Sequence, residues 1–213
     1  MGTNLLPQNL LEMYEVHEYR HACSILYEDF SNEWDEIISV LSAFRLYESV
    51  ITTGGGNKSD VATSLDSHFG QLGWVEKGFK IETNIDGRVI ESKTHKLDCY
   101  KNRIGLEIEW NNKDTFFDRD LDKFRLLFDL NVISVGVIIT RCKELQQQLF
   151  KPLGIGGKYG ASTTHLGKLI PKMNGGGGGG CPILVFGISN KLFVPDVTGV
   201  MPAPAEPRKK KKK

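Results

Sequence analysis

Apolar residues recur every three to four positions in three segments of the chain, the spacing that places them on one face of a helix. The first segment begins at Ser31, a residue type that caps helices. The second follows Ser59, and the third starts near Phe117. Their apolar faces consist of Trp34, Ile37, Ile38, Leu41 and Phe44 in the first, Ala62, Leu65, Phe69 and Leu72 in the second, and Phe117, Leu121, Phe124, Leu127 and Phe128 in the third. We predict that these segments are helices packed on a core.

Weaker patterns predict further helices. One is predicted over residues 12–27, where His17 and His21 stand four positions apart. That spacing suits a metal ion, but it is also typical of an ordinary exposed helix face. Residues 141–150 are predicted to form a helix, and a short helix is predicted to open at residues 162–168.

Strand patterns alternate with these helices. Strands are predicted from Phe79 to Asn84 and from Arg88 to Ser92, because Asp86-Gly87 between them is a strong signal for a type I′ hairpin turn. With the segment that follows, they are expected to form a meander. The nearly continuous apolar runs at 132–140 and 182–188 indicate buried strands. The order predicts an α/β fold with a mixed central β-sheet flanked by helices.

The segment from Leu97 to Trp110 combines a hairpin pattern with acidic residues. Ile104, Leu106, Ile108 and Trp110 alternate with Gly105, Glu107 and Glu109, the period of a half-buried strand. We place the turn at Lys101-Asn102, which sets Asp98 opposite Gly105 and on the face of the two glutamates. The same register puts Leu97 and Cys99 on the apolar face.

Three carboxylates on one strand face repel one another and raise one another's pKa unless a cation or a shared proton offsets the charge. Oxygen ligands suit magnesium, calcium or manganese rather than zinc. The sequence therefore predicts a site for a divalent metal at Asp98, Glu107 and Glu109. A solvated acidic strand face is the alternative.

These residues also carry a resemblance to a known family. Asp98, eight intervening residues and then Glu107-Ile108-Glu109 resemble the PD-(D/E)XK motif of type II restriction endonucleases similar to BglII, BstYI and BamHI. Most of that superfamily has Lys at the last position. Glu109 resembles the BamHI variant, whereas BglII-like members carry Gln there. The order of elements over roughly residues 20–190 also resembles the PD-(D/E)XK restriction-endonuclease-like core.

The resemblance implies a Mg²⁺-dependent homodimer, with Mn²⁺ as a substitute, that hydrolyses both strands of double-stranded DNA at a short palindromic site with a GATC core. Asp98, Glu107 and the main-chain carbonyl of Ile108 would hold the metal. Glu109 would act as general base or as a ligand of a second metal, and a base there would need a low pKa. Glu76 falls where BamHI-like enzymes place an additional metal-site glutamate, although a surface glutamate is the alternative.

Two segments are predicted to contact DNA. Lys58 and Ser59 follow a glycine-rich turn that suits a phosphate, although the spacing does not match a P-loop and a plain loop is the alternative. The second segment opens the short helix with hydroxyls, a histidine and a lysine, which reach phosphates and base edges. An N-capped surface helix fits the same pattern. The predicted contacts in this segment are Tyr159, Thr163, Thr164, His165 and Lys168.

Composition limits the class of protein. The chain has 213 residues, of which 40% are hydrophobic and 25% charged. This suits one globular domain, which we place at residues 1–195, followed by a disordered basic tail at 196–213. Arg208 and the five lysines at 209–213 supply six positive charges and leave 21 basic against 26 acidic residues over 1–207. Positive charge is therefore expected in one DNA cleft, not as a non-specific coat.

Other features concern the compartment and a connector. No apolar run reaches the ~20 residues of a membrane span, so we expect a cytoplasmic protein without a membrane partner. The four cysteines are widely scattered, which predicts reduced, mostly buried thiols. Six consecutive glycines at 175–180 predict a flexible connector.

Two rival functions remain open at this stage. One is a DNA-binding or regulatory module that keeps the fold without cleaving. An intact set of carboxylates argues against it, because surplus acids hinder phosphate binding unless a metal offsets them. The other is a repair or RNA-directed nuclease on the same core.

Overall fold

The computed structural model describes residues 2–53, 59–160 and 162–196. The helices are α1 (Gln8–Met13), α2 (Ala22–Asp29), α3 (Ser31–Ala43), α4 (Glu48–Thr52), α5 (Asp60–Gln71), α6 (Phe116–Asp129) and α7 (Leu166–Asn174). The strands are β1 (Tyr14–Tyr19), β2 (Leu46–Tyr47), β3 (Val75–Lys77), β4 (Lys80–Ile85), β5 (Arg88–Lys93), β6 (Leu97–Lys101), β7 (Ile104–Glu109), β8 (Val135–Arg141), β9 (Ile183–Ile188) and β10 (Phe193–Val194). Lys58 and residues 197–213, which hold most of the predicted tail, lie outside the described residues.

A six-stranded mixed sheet forms the centre, in the order β1-β9-β8-β7-β6-β3. Strands β7, β8 and β9 are parallel, whereas β6 and β1 pair antiparallel at either side of them. Every residue of β7, β8 and β9 is buried. The predicted fold class, an α/β fold with a mixed sheet flanked by helices, is confirmed.

Each face of the sheet is covered by a separate apolar core. Helices α1 to α5 cover one face, where Ile104, Leu106 and Ile108 of β7 point. Helices α6 and α7 cover the other face. Because side chains alternate along a strand, Gly105, Glu107 and Glu109 are directed toward α6. The sheet therefore brings two glutamates against one helix.

The β6–β7 hairpin differs in register from the prediction. Tyr100 pairs with Gly105, so the turn is Asn102-Arg103 and not Lys101-Asn102. Both turn residues have positive φ, 40° and 68°, as a type I′ turn requires. The shift is two residues, so Asp98 keeps the predicted face. Gly105 is not opposite Asp98.

The face predicted for Leu97 is wrong. Leu97 packs in the core under α6, whereas Cys99 packs in the opposite core. The pairing of β3 with β6 shifts register between Val75 and Lys77. A bulge of this kind re-aims the side chains on one side of it.

Several predicted elements also differ from the structure. The predicted helix at 12–27 is divided into α1, β1 and α2, and β1 is an edge strand paired with β9. Residues 141–150 contain only one π-helical turn, Gln146–Phe150, because β8 continues to Arg141. The strands β4 and β5 pair through the predicted Asp86-Gly87 turn, but they form a separate two-stranded sheet instead of a meander.

The six glycines at 175–180 form successive turns packed on α6, so the segment is not an open connector. A Cβ on Gly178 would lie 2.5 Å from Ile183 Cδ1, and one on Gly179 would lie 2.6 Å from Arg125 Cγ. Gly179 also has a φ of +58°, which favours glycine. Close packing therefore requires glycine at these two positions.

The helix caps differ from the prediction. Ser31 is the first residue of α3, whose N-cap Phe30 makes no side-chain capping hydrogen bond. Ser59 caps α5 instead, accepting a hydrogen bond from the Ala62 amide at 3.2 Å. The four cysteines are buried and free. None of the helices within the described ranges is both long and apolar enough to span a membrane.

Candidate active site

Three buried carboxylates meet between β7 and α6. Glu107 and Glu109 of β7 are each 1% exposed, and Asp120 of α6 is 0% exposed. An oxygen from each lies within 4.8 Å of the others. The period of the strand and the turn of the helix thus place three acids at one point, at the carboxyl end of a central parallel strand.

Two cations from the same helix contact these acids. Lys123 contacts the carboxylate of Glu107, lies 3.3 Å from Asp120 Oδ1 and donates to the carbonyl of Lys96 at 3.0 Å. Arg119 donates to Asp120 Oδ1 at 2.9 Å and to Glu109 Oε1 at 3.3 Å. Helix α6 therefore supplies one acid and both counter-ions.

Burial dominates the electrostatics of the glutamates. It raises the pKa of Glu107 well above its ordinary value, and the charge of Asp120 adds to this, although Lys123 opposes it. The pKa of Glu109 is also raised by burial, and then by the charge of Asp120 and a hydrogen bond with it. These causes oppose the low pKa that a general base at Glu109 would need, and the role of Glu109 as base or ligand stays a prediction.

Asp98 stands beside this cluster, but it is not one of the three acids that converge. It is half-buried and accepts a hydrogen bond from the Ile108 amide at 2.9 Å. Its charge contributes to the raised pKa values of both Glu107 and Glu109. Asp98 therefore acts on the two glutamates through its charge. The third acid that converges with them is Asp120, which the sequence analysis missed.

The donor set fits a hard divalent cation. Asp120 Oδ2 is buried without a hydrogen-bond partner among the described residues. Asp98 brings the number of carboxylates at the site to four, and Arg119 and Lys123 are the two cations. When all six groups are ionised, two negative charges remain unbalanced. Carboxylate oxygens are the ligands that magnesium, calcium and manganese prefer. The buried acids can hold such a metal.

A cleft of about 360 Å³ opens beside the acids. Its lining includes Asp98, Glu109, Arg119, Ser59 and Lys158. Glu76 also lines the cleft, where it is exposed and pairs with Lys96 at 2.8 Å. The cleft therefore joins the acids to the end of the loop that precedes α5.

Tyr159 also lines the cleft, and it packs against residues next to the sheet. It is 1% exposed, and its ring stacks on Phe150 at a centroid distance of 3.9 Å. Its hydroxyl accepts from Trp110 Nε1 at 3.3 Å and donates to the carbonyl of Ile51 at 3.1 Å. These contacts are structural, and the predicted contact of Tyr159 with DNA stays a prediction.

The other predicted DNA contacts lie nearby. Thr163 Oγ1 accepts from Arg141 at 2.7 Å, Thr164 is fully buried, and His165 is half-buried at the start of α7. Lys168 is paired with Asp114 at 2.8 Å. Their contacts with DNA stay predictions.

The sequence did contain a signal for the missed residues of α6. Asp120 and Lys123 occupy positions three and six after Phe117, within the stripe of apolar residues that faces the core. Charged residues at such positions are almost never fully buried unless they are paired. Their presence in the stripe was a sign of a functional cluster.

A mixed sheet of this topology, with a buried acidic cluster at the carboxyl end of β7, is consistent with a restriction-endonuclease-like core. Residues 14–188 match the family described as "Restriction endonuclease BglII/BglIII". The chain therefore belongs to this family and is a type II site-specific deoxyribonuclease. No individual curated protein matches the chain.

Proposed function

We propose that the protein is a Mg²⁺-dependent restriction endonuclease that cuts both strands of a short palindromic DNA site as a cytoplasmic homodimer. The observation that carries this proposal is the convergence of Glu107, Glu109 and Asp120 within 4.8 Å at one end of the cleft. Family membership supplies DNA as the substrate.

Glu107, Glu109 and Asp120 would hold the metal, with Asp98 and the main-chain carbonyl of Ile108 as the further ligands that the resemblance implies. A divalent metal bound to them lowers the pKa of a water molecule and offsets charge on the phosphate. Mn²⁺ is expected to substitute, because it accepts the same oxygen ligands. Glu76 is exposed enough to join the site after leaving Lys96.

The chain's own residues prepare the site. Arg119 and Lys123 hold the acids close to one another before a metal binds. Each cation contacts Asp120 and one of the two glutamates. Asn112 donates to Glu109 Oε2 at 2.6 Å and fixes the orientation of that carboxylate. Glu109 is buried and its pKa is raised by that burial, which suits metal ligation better than the role of a free general base.

One cleft cuts one strand, so cleavage of both strands requires two copies of the chain. A two-fold palindrome is matched by a two-fold dimer. The GATC core is the sequence that the resemblance suggests, and we propose it as the first site to test.

Plasmid digestion tests the proposal. With Mg²⁺, the protein should give discrete fragments whose ends all carry the same sequence, and EDTA should stop the reaction. Glu107→Gln, which keeps the shape of the side chain but removes its charge, should give no fragments. Smearing or nicking would favour a repair or RNA-directed nuclease, and specific DNA binding without cutting would favour a regulatory module.

A further inference from the structure

A second recess of about 530 Å³ lies next to the active-site cleft, and Tyr159 lines both. Its lining includes Arg141, Lys143, Lys151 and His165. Arg141 is the last residue of β8 and follows Thr140, which pairs with Glu109 of β7. The recess is therefore at the same end of the sheet as the catalytic acids, one strand away.

Arg141 is a buried cation that forms no ion pair with an acid in the part of the chain that the structure describes. It is 1% exposed, and its Nε and Nη1 have no hydrogen-bond partner among the described residues. Its Nη2 donates to Thr163 Oγ1 at 2.7 Å. The guanidinium carbon lies 5.6 Å and 5.9 Å from the ring centroids of Phe150 and Tyr159. Aromatic rings and one hydroxyl do not replace the water that a guanidinium loses on burial.

The surroundings of Arg141 are positively charged as well. Lys143 and Lys151 are exposed at the rim, against one exposed acid, Glu144. His165 is the N-cap of α7 and makes no capping hydrogen bond, and its Nδ1 is unpartnered among the described residues. The N-terminus of α7 adds its own partial positive charge at this point. Burial is the main cause that lowers the pKa of His165 to about 4, and the charges of Arg141, Lys168 and Lys143 act in the same direction.

We propose that this recess binds one phosphate group, held by Arg141 with Lys143 and the start of α7. A phosphate offers acceptors to the unpaired guanidinium nitrogens and suits the planar donors of Arg. Because the recess adjoins the cleft, the source that the position favours is a non-scissile phosphate of the bound DNA. The assignment of the phosphate to DNA rests on the proposed function, whereas the proposal that the recess binds a phosphate does not.

Inorganic phosphate is the first probe. The melting temperature of the wild-type protein should rise with phosphate and saturate, relative to sodium chloride at equal ionic strength. Arg141→Met keeps an apolar stem against the aromatic rings and should lose this response. Arg103→Gln is a control with the same charge change in the turn that precedes β7, at the opposite end of that strand. Arg103 Nε donates to Ser134 Oγ at 3.0 Å, away from the recess, and this variant should respond like the wild type.

Duplex DNA without divalent metal is the second probe and identifies the source. If the phosphate belongs to DNA, Arg141→Met should lower affinity about tenfold at 0.1 M salt and reduce the slope of log K against log salt by about one. An unchanged DNA affinity together with a lost phosphate response would support the recess and assign it to a free phosphate-bearing ligand.

Two results would overturn the proposal. One is a wild-type protein that does not respond to phosphate. The other is Arg141→Met with the wild-type phosphate response and DNA affinity, which would leave Arg141 a packing residue. If Arg141→Met does not fold, Lys143→Gln at the exposed rim should still reduce the phosphate response, and an unchanged response would contradict the proposal. Failure to cut plasmid would overturn the proposed function alone.

Discussion

Lys123 is the main counter-ion of the buried acids, and its removal tests the electrostatic account of the site. Its side chain is 3% exposed and contacts Glu107 and Asp120. Lys123→Met keeps most of the volume but leaves buried carboxylates without this cation. Breaking a buried ion pair on one side costs about 3–5 kcal/mol, so the free energy of unfolding in EDTA should fall by about that amount.

Metal and acid should each reduce the loss. A metal at 100 times its dissociation constant adds about 2.7 kcal/mol. At the same Mg²⁺ concentration the variant should gain more than the wild type, because its acids keep one more unbalanced negative charge and should bind the metal more tightly. The pKa of Glu107 is raised in the folded protein, so its contribution to stability is present at low pH and lost as pH rises through the folded pKa. Without Lys123, that pKa rises further, and the difference between variant and wild type should shrink as pH falls.

Urea unfolding in EDTA and in Mg²⁺, at pH 5.5 and pH 8, provides the measurement. Lys172→Met is the matched control, because Lys172 pairs with Asp118 at a partly exposed position where such pairs contribute about 0–1 kcal/mol. If Lys123→Met costs no more than Lys172→Met under all four conditions, the acids do not depend on this cation and the reasoning is refuted.

The remaining predictions use activity, metal binding and stability. Glu107→Ala should abolish cleavage and leave DNA binding measurable by titration, and full activity would contradict its role as a ligand. Glu109→Lys should lose most activity, because a cation there competes with the metal; near wild-type turnover would make Glu109 a bystander. Asp120→Asn should weaken Mg²⁺ binding, measured by calorimetry, although an unchanged affinity would remove it from the ligand set. Gly187→Ala should destabilise by about 1–3 kcal/mol, since its Cβ would lie 2.2 Å from a leucine of α7, whereas Gly157→Ala, with nothing within 4 Å, should not.

The alternation of β7 was sufficient to place Glu107 and Glu109 on one face, because a period of two is insensitive to an error of two residues in register. The turn itself was misplaced. Arg103 has a φ of 68°, which is uncommon for residues other than Gly, Asn and Asp. Only the pairing of complete strands reveals that the turn includes it.

Tertiary contacts decided what local patterns could not. Residues 12–27 contain enough apolar positions for a helix, but Tyr14–Tyr19 become a strand because β9 offers an open edge. The partners of Asp120 and Lys123 also depended on tertiary contacts, although their positions in the apolar stripe gave a signal. On an isolated helix they interrupt an apolar stripe, and their purpose appears only when β7 is packed against them.

The pairing of β1 with β9 also affects the order in which the chain can fold during synthesis. Tyr14 leaves the ribosome long before its partner, Ile188. Until β9 has been made, β1 has no place in the sheet, and the parallel strands β8 and β9 cannot complete the core around the acids. Such distant pairings make folding slow, because the long intervening segment must be closed first. A nascent chain therefore stays without a finished sheet until nearly all of the family-matching region has been translated.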